Sequence, residues 1–198
     1  NMKKEAGKMK IGVLALQGGF QEHIHHINEL GYDGVLVKTV EDLKNIKALI
    51  IPGGESTTMG KLLKVTGLLS PLKEMIKNGL PVWGTCAGMI LLAKNIDGET
   101  VTHLGVMDIS VRRNAYGTQL DSFSTQIKLD EVDSNPLDLV FIRAPYVSEV
   151  KNSVNVLAKI NNNIVAVREN NMLATSFHPE LTSNTSFHKY FLKTIAGL

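Results

Sequence analysis

The stretch that decides the fold of this chain is Val82-Trp83-Gly84-Thr85-Cys86-Ala87-Gly88-Met89-Ile90-Leu91-Leu92-Ala93. A short apolar run leads into Gly-Thr-Cys-Ala-Gly, and a second apolar run follows it. This order predicts a strand, a tight turn and a helix, because the small residues around Cys86 allow the backbone to bend sharply. The N-terminus of a helix favours the thiolate, the reactive form of cysteine. Cys86 is therefore a candidate nucleophile, with a buried structural cysteine as the alternative.

Apolar runs alternate with amphipathic segments in the first half of the chain. Strands are predicted over residues 11–16, 34–37, 48–51 and the run before Cys86, and helices over 20–30, from about 57, and over 71–78. This alternation is typical of an α/β domain with a parallel central sheet. The second half has short strand-like segments near 109–111, 124–129, 140–142, 156–160, 164–167 and 172–177, with a hairpin signal at 161–163 and a closing helix over 183–196. We therefore expect an antiparallel extension of the parallel sheet.

Length, charge and cysteine content limit the possible functions. The chain has 198 residues, a formal net charge of +2 and a single cysteine. We expect one domain over residues 10–198, preceded by a disordered or artificially added segment over 1–9. The net charge gives no indication of nucleic-acid binding. No apolar run has the length of a membrane helix. The lone cysteine favours a reducing, cytoplasmic location.

The segment Ser176-Phe177-His178-Pro179-Glu180 offers a base for the candidate nucleophile. A cysteine nucleophile needs a base that takes and returns a proton, and the base needs a third group to orient its ring. His178 and Glu180 are suited to these two roles from one loop, which the proline between them stiffens. A lone His-Pro-Glu is also a plausible turn, so its combination with the cysteine elbow carries the prediction.

The loop Pro52-Gly53-Gly54-Glu55-Ser56-Thr57-Thr58 follows a predicted strand and should emerge at the same sheet edge as Cys86. Its glycines can present backbone N–H groups to an oxyanion or a substrate carboxylate. The alternative is a strand-to-helix turn with Ser56 or Thr57 as the helix cap, and both can hold at once. The loop lacks the Gly-Lys-Ser/Thr ending of a nucleotide-binding P-loop.

Histidines and arginines outside these motifs receive weaker assignments. His23, His25 and His26 lie on the first predicted helix, where a solvated face is favoured over a zinc site. Arg113 and Arg143 are candidates for binding a carboxylate by residue type, with surface arginines as the alternative. His103 and His188 belong to no motif and are assigned no role.

Together these segments resemble class I glutamine amidotransferases, and more narrowly the PdxT/YaaE family of glutaminase subunits of pyridoxal 5′-phosphate synthase. The resemblance covers about residues 10–196 and includes, besides the motifs above, residues 11–18, 113–117, 121–123 and 141–145. The Gly-Gly-Glu-Ser-Thr-Thr loop and the Arg-Asn-Ala-Tyr-Gly segment are specific to this family. One departure is Thr118, where many members carry arginine, so Thr118 is assigned no role.

The resemblance implies a three-layer class I glutamine amidotransferase fold and hydrolysis of L-glutamine to L-glutamate and ammonia. It makes Cys86 the nucleophile, His178 the general base and Glu180 its orienting partner. It places glutamine on Gly54, Glu55, Ser56, Arg113, Ile142 and Arg143. It assigns the oxyanion to backbone N–H groups near Gly54 and Ala87, and a gating loop to Gln17 and Gly18.

The resemblance also implies a partner, a (β/α)₈ synthase subunit of the PdxS type that uses the ammonia to make vitamin B6. It implies no cofactor, no metal, no nucleic acid and no membrane. Three alternatives remain open on the sequence. They are a glutaminase subunit of another amidotransferase, a stand-alone thiol amidohydrolase, and a regulatory subunit with a silent site.

Overall fold

The computed structural model describes residues 7–113 and 122–198. Positions 1–6 of the predicted N-terminal segment, Thr118, and residues 114–117 of the family-specific segment lie outside the described residues. The strands are β1 (Lys10–Leu14), β2 (Asp33–Val37), β3 (Ile46–Ile51), β4 (Val82–Thr85), β5 (Ala93–Ile96), β6 (Met107–Arg112), β7 (Ser122–Ile127), β8 (Leu137–Ile142), β9 (Tyr146–Val150), β10 (Asn155–Ile160), β11 (Asn163–Glu169) and β12 (Met172–Thr175).

The helices are α1 (Phe20–Glu29), α2 (Ser56–Val65), α3 (Leu69–Lys77), α4 (Ala87–Leu92) and α5 (Ser186–Lys189). A π-helical segment, Tyr190–Ile195, continues α5, and short 3₁₀ helices span Val40–Leu43 and Pro179–Leu181. Within the described parts of the chain, no helix has the length and apolar character needed to cross a bilayer.

A large mixed sheet forms the centre of the molecule, with strand order β2-β1-β3-β4-β12-β11-β9-β6-β5 and β10 beside β11. The five strands from β2 to β12 pair in parallel, whereas β11 is antiparallel to β12, and β9 is antiparallel to both β11 and β6. A separate antiparallel pair, β7 and β8, completes the fold. The predicted parallel sheet with an antiparallel extension is confirmed.

The two faces of the sheet bury separate apolar clusters, which makes three layers. Along β3, Leu49 and Ile51 join the cluster that packs against α2, α3 and α4. Ala48 and Ile50 join the opposite cluster, against α1 and the C-terminal helical segment. Successive side chains of a strand point to opposite faces, so a continuous apolar run is what a strand between two helical layers requires.

The structure departs from the sequence prediction mainly in the second half. Strands β5 and β9 are additions: turn residues flank them, but neither has the strict apolar–polar alternation that marks a half-buried strand in sequence. The predicted closing helix begins at Ser186 and becomes π-helical from Tyr190. The hairpin is confirmed, since Asn161 and Asn162 both have positive φ between β10 and β11.

Several loops that carry predicted site residues leave the same edge of the sheet. Strands β1, β3, β4 and β12 are parallel neighbours, so their carboxyl ends lie together. The segment after β1 carries Gln17 and Gly18, and the loop after β3 carries Gly54. The turn after β4 carries Cys86, and the segment after β12 carries His178.

Candidate active site

Cys86 lies on a strained turn between β4 and α4, with φ 53° and ψ −108°. Its backbone N–H donates to the Thr175 carbonyl at 2.8 Å, which ties the turn to β12. A Cβ on Gly84 would lie 2.5 Å from the Gly88 carbonyl carbon, and one on Gly88 would collide with the Ile51 carbonyl oxygen. Gly-x-Cys-x-Gly is therefore needed for the strand and the helix to approach this closely.

The Cys86 side chain is largely buried and meets two groups across the sheet edge. Its Sγ lies 3.7 Å from the Ile142 carbonyl oxygen. A Cβ placed on Gly53 would lie 2.6 Å from His178 Cε1 and 3.5 Å from Cys86 Cβ. The absence of a side chain at Gly53 thus lets the imidazole and the thiol share this space.

His178 is held between Cys86 and Glu180. Its backbone N–H donates to the Val140 carbonyl at 2.8 Å, and its Nδ1 lies 2.9 Å from Glu180 Oε1. Burial favours the neutral ring, but hydrogen bonds with Cys86 and Glu180 outweigh it and raise the pKa of His178 to about 10. The ring is therefore protonated at neutral pH and carries a hydrogen on both nitrogens.

Glu180 is the buried carboxylate of this arrangement. Its side chain is only 2% exposed, on the 3₁₀ turn Pro179–Leu181. Burial by itself raises the pKa of a carboxyl, but contacts with His178 and His23 outweigh it and lower the pKa of Glu180 to about 2. A charged carboxylate thus faces a charged imidazole in a nearly dry environment.

A cavity of about 260 Å³ opens beside Cys86. Most residues of the predicted glutamine site and both predicted oxyanion residues line it. The lining residues are Gly54, Glu55, Ser56, Cys86, Ala87, Ile90, Arg113, Arg143 and Pro145. Ile142 is the exception among the predicted glutamine-site residues, since its carbonyl oxygen lies near Cys86 Sγ while the residue as a whole is 39% exposed.

The two arginines reach the cavity in different ways. Arg113 Nε donates to Glu99 Oε2 at 2.8 Å, and its NH1 donates to the buried Ser56 Oγ. These bonds fix its guanidinium against the start of α2. Arg143 follows β8 with φ 45°, a value that is uncommon for a residue with a side chain. An unfavourable backbone at a cavity wall is typical of functional positions.

Glu55 caps helix α2 with its side chain. Its carboxylate accepts from the backbone N–H of Thr57 at 3.1 Å and of Thr58 at 2.7 Å. The Thr58 N–H is the main cause that lowers the pKa of Glu55 to about 2, against the opposing effect of burial. The prediction of Ser56 or Thr57 as the cap is wrong, because Glu55, one residue earlier, takes this place.

The segment after β1 lies against the loop after β3. Gln17 Oε1 accepts from the Glu55 backbone N–H at 2.6 Å. Gly18 has φ 90°, and a Cβ there would collide with the Gly53 carbonyl oxygen. Only glycine fits this contact, so the predicted gating residues touch the loop that carries Gly54.

Comparison with known proteins identifies the family. Residues 13–197 match the model of the SNO glutamine amidotransferase family. The chain belongs to this family. Pyridoxal 5′-phosphate synthase subunit PdxT of Clostridium beijerinckii is 55% identical over 186 residues, which cover 94% of this chain and 98% of the relative. The subunit of the same name from Carboxydothermus hydrogenoformans is 52% identical over 187 residues, covering 94% of this chain and 98% of the relative.

Solved structures agree with this glutamine amidotransferase assignment. A crystal structure of a glutamine amidotransferase matches with a TM-score of 0.89 at 43% identity, over 95% of this chain and 99% of that one. PurLQS from Thermotoga maritima matches with a TM-score of 0.70 at 14% identity, over 94% and 98% of the two chains, which shows a shared fold alone. The predicted family and fold class are confirmed.

Sequence analysis of this glutamine amidotransferase did not identify the buried histidines that lie near Glu180. The prediction of a solvated face on α1 is wrong for His23 and His26, which are buried, and it holds for His25, whose side chain is 73% exposed. His23 and His26 face the Pro179–Leu181 turn and α5. His23 Nε2 lies 3.2 Å from Glu180 Oε2. His26 Nε2 lies 2.9 Å from the Thr182 carbonyl oxygen. The spacing of residues on α1 could have indicated this burial, because His23 is four residues before the buried Ile27 and therefore lies on the same face of the helix.

Proposed function

We propose that this chain hydrolyses L-glutamine to L-glutamate and ammonia, and that it supplies the ammonia to a (β/α)₈ pyridoxal 5′-phosphate synthase subunit of the PdxS type. One observation carries the proposal: Cys86 lies on a strained elbow, beside the paired His178 and Glu180 and open to a cavity. Membership of the glutamine amidotransferase family supports the substrate. The PdxT relatives support the destination of the ammonia.

The first half of the reaction transfers the acyl group to sulfur. His178 is protonated at neutral pH and stabilises a Cys86 thiolate beside it. The thiolate attacks the carboxamide carbon, a C–S bond forms, and the carbonyl electrons move to oxygen. Because Nδ1 is directed at Glu180, Nε2 is the atom that gives its proton to the amide nitrogen. The C–N bond then breaks and ammonia leaves.

The second half returns the enzyme to its starting state. His178 is now neutral and accepts a proton from a water that attacks the thioester carbon. The C–S bond breaks, glutamate leaves, and the thiolate and imidazolium are restored. Glu180 keeps the ring aligned and stabilises its charge in both halves, as the third member of such triads does.

The oxyanion and the two ends of glutamine are assigned to the cavity wall. Backbone N–H groups of Gly54 and Ala87 stabilise the oxyanion, a role supported by their position in the same cavity as Cys86. Arg143 binds the α-carboxylate. Arg113, anchored to Glu99 and Ser56, positions the loop rather than moving with the substrate.

The proposed chemistry also bears on location. Within the described residues Cys86 is a free thiol, and a nucleophilic role requires it to remain one. We therefore place the enzyme in a reducing compartment, the cytoplasm.

The test measures glutamate release from glutamine by the isolated chain and by the chain with an excess of a PdxS-type synthase subunit. Asparagine and a γ-glutamyl peptide serve as competing amide substrates. We expect release from glutamine alone, and none from Cys86→Ala, which removes one small side chain and leaves the fold intact. Equal release by Cys86→Ala and the unmodified chain would contradict the mechanism, and faster cleavage of another amide would indicate a different amidohydrolase.

A further inference from the structure

A pair of buried histidines lies behind Glu180, on the side away from Cys86. His23 Nε2 is 3.2 Å from Glu180 Oε2, and His23 Nδ1 is 2.8 Å from His188 Nε2. Both histidines are fully buried. His23 comes from α1 and His188 from α5, so two helices distant in sequence meet at the carboxylate.

The second oxygen of Glu180 depends on His23. Oε1 is occupied by His178, and in residues 7–113 and 122–198 neither Glu180 Oε2 nor His23 Nε2 has a partner that meets hydrogen-bond geometry, so the 3.2 Å approach of these two atoms is a close polar contact. A buried carboxylate oxygen without a donor is strongly unfavourable. The two atoms lie 3.2 Å apart, so an N–H on Nε2 is placed to supply the donor that this oxygen requires.

The position of that hydrogen fixes the rest of the pair. When Nε2 of a neutral His23 carries the hydrogen, its Nδ1 is an acceptor and His188 Nε2 must donate to it. Burial is the main cause that holds the pKa of His188 well below its ordinary value, so this ring stays neutral. Its Nδ1 has no partner in the described part of the chain, as expected for a nitrogen without a hydrogen.

Trp83 holds both histidine rings in place. Its ring meets His23 edge-on at 5.9 Å and His188 edge-on at 4.8 Å between centroids. Its Nε1 donates to Thr175 Oγ1 at 3.0 Å, within the buried core. Trp83 lies on β4 three residues before Cys86. The same strand therefore supports the histidine pair and positions the nucleophile.

From these contacts we propose that His23 is a positioning residue for the reaction: it fixes the Glu180 carboxylate, and through it the His178 ring, while His188 orients His23. This inference rests on the proposed glutaminase function. A carboxylate held at one oxygen can rotate and swing the imidazole away from the substrate. A carboxylate held at both oxygens keeps the ring in its reactive orientation.

Two amide substitutions separate the contacts of His23. In His23→Gln the side-chain amide reaches the position of Nε2 and can still donate to Glu180. In His23→Asn the amide is one methylene shorter, occupies the position of Nδ1 and contacts His188 alone. Both replacements are polar and similar in size, so the difference between them reports the Glu180 contact. His25→Asn, on the exposed face of the same helix, is the matched control.

We expect His23→Asn to lower kcat for glutamine about tenfold, less than the roughly 10²-fold that a 1 Å misplacement of a catalytic group can cost. KM should stay within about twofold, because His23 does not line the cavity beside Cys86. His23→Gln should recover most of the lost kcat, and His25→Asn should match the unmodified chain. Equal kcat for the two His23 variants, or a loss confined to KM, would overturn the positioning role.

A double-mutant cycle tests the route through the carboxylate. In a Glu180→Gln background, His23→Asn should cause no further loss of kcat, because the group it positions is already changed. The same fold-loss in both backgrounds would show that His23 acts by general packing and would overturn the inference. The unmodified chain with synthase is measured first, since no glutamate release there would reject the glutaminase proposal itself rather than the role of His23.

Discussion

Replacing Glu180 by glutamine should remove a pH-dependent part of the folding stability. Glu180 has a pKa of about 2 in the folded chain, against an ordinary value of 4.5. A carboxyl whose pKa is lowered by folding stabilises the protein above its ordinary pKa, and this contribution is lost as the pH falls through the folded value. At 1.36 kcal/mol per unit, the charged form contributes about 3 kcal/mol at pH 7. With 2% exposure of its side chain, solvent screening is slight.

The folded and ordinary pKa values of Glu180 also determine how its contribution to the unfolding free energy decreases with pH. At pH 3 the folded carboxyl is still mostly charged while the unfolded one is mostly protonated, so about 40% of the contribution remains. The difference in unfolding free energy between Glu180→Gln and the unmodified chain should therefore shrink by about 2 kcal/mol from pH 7 to pH 3. Glu55 also has a pKa of about 2, but it is present in both proteins and cancels.

Urea unfolding at several pH values measures this difference directly. Glu29→Gln is a suitable control, since Glu29 is half exposed and contacts the exposed His25. We expect the control to change the unfolding free energy by less than about 0.5 kcal/mol throughout. A Glu180→Gln difference that stays constant or grows on acidification would refute the assigned charge state of the buried pair.

Three further outcomes follow from the site. His178→Asn should lower kcat by about 10²–10⁴-fold, since it removes the proton carrier. Glu180→Gln should lower kcat by a smaller factor. A larger loss of kcat in folded Glu180→Gln than in folded His178→Asn would contradict the roles assigned to the two residues. Arg143→Ala should raise KM for glutamine more than it lowers kcat, and a loss confined to kcat would contradict ground-state binding. Gly88→Ala should lower the melting temperature and the activity together, because the new methyl group collides with the Ile51 carbonyl; an unchanged melting temperature would show that the elbow tolerates a side chain.

The parallel half of the fold was predictable because its signals are local. Strand β3 and the run before Cys86 are continuous apolar segments, and each ends in small residues that turn the chain. The elbow also depends on two glycines four positions apart, Gly84 and Gly88, so Gly-x-Cys-x-Gly was visible in the sequence before the close approach of β4 and α4 was seen. The single-domain organisation over 10–198 stays a prediction.

The histidines behind Glu180 were not predictable because their partners are distant in sequence. His23 contacts His188 across 165 positions, and a histidine on a helix gives no local sign of being buried. Glu55 as a cap was missed for another reason. Ser, Thr, Asp and Asn dominate helix caps, whereas this loop uses the longer glutamate, whose carboxylate accepts from both Thr57 and Thr58.

The last prediction concerns gating by the segment after β1. Ammonia made without an acceptor is lost to solvent, so under the proposed function a glutaminase that supplies a synthase subunit benefits from staying slow until the two dock. Gln17 Oε1 accepts from the Glu55 N–H, and Gly18 packs on the Gly53 carbonyl, so this segment touches the loop that carries the proposed oxyanion donor Gly54. A peptide flip there would reorient the donors beside Cys86.

Such a flip is large enough to act as a switch, because one oxyanion donor contributes roughly 10²–10³-fold to turnover. We therefore expect the isolated chain to release glutamate slowly and an excess of a PdxS-type synthase subunit to raise kcat by up to this factor. Gln17→Ala should reduce the stimulation, because the loop contact that couples docking to Gly54 is gone. Cys86→Ala with the same synthase preparation measures the background. Equal rates with and without synthase, from folded protein, would remove the gate and leave the roles of Cys86 and His178 untouched.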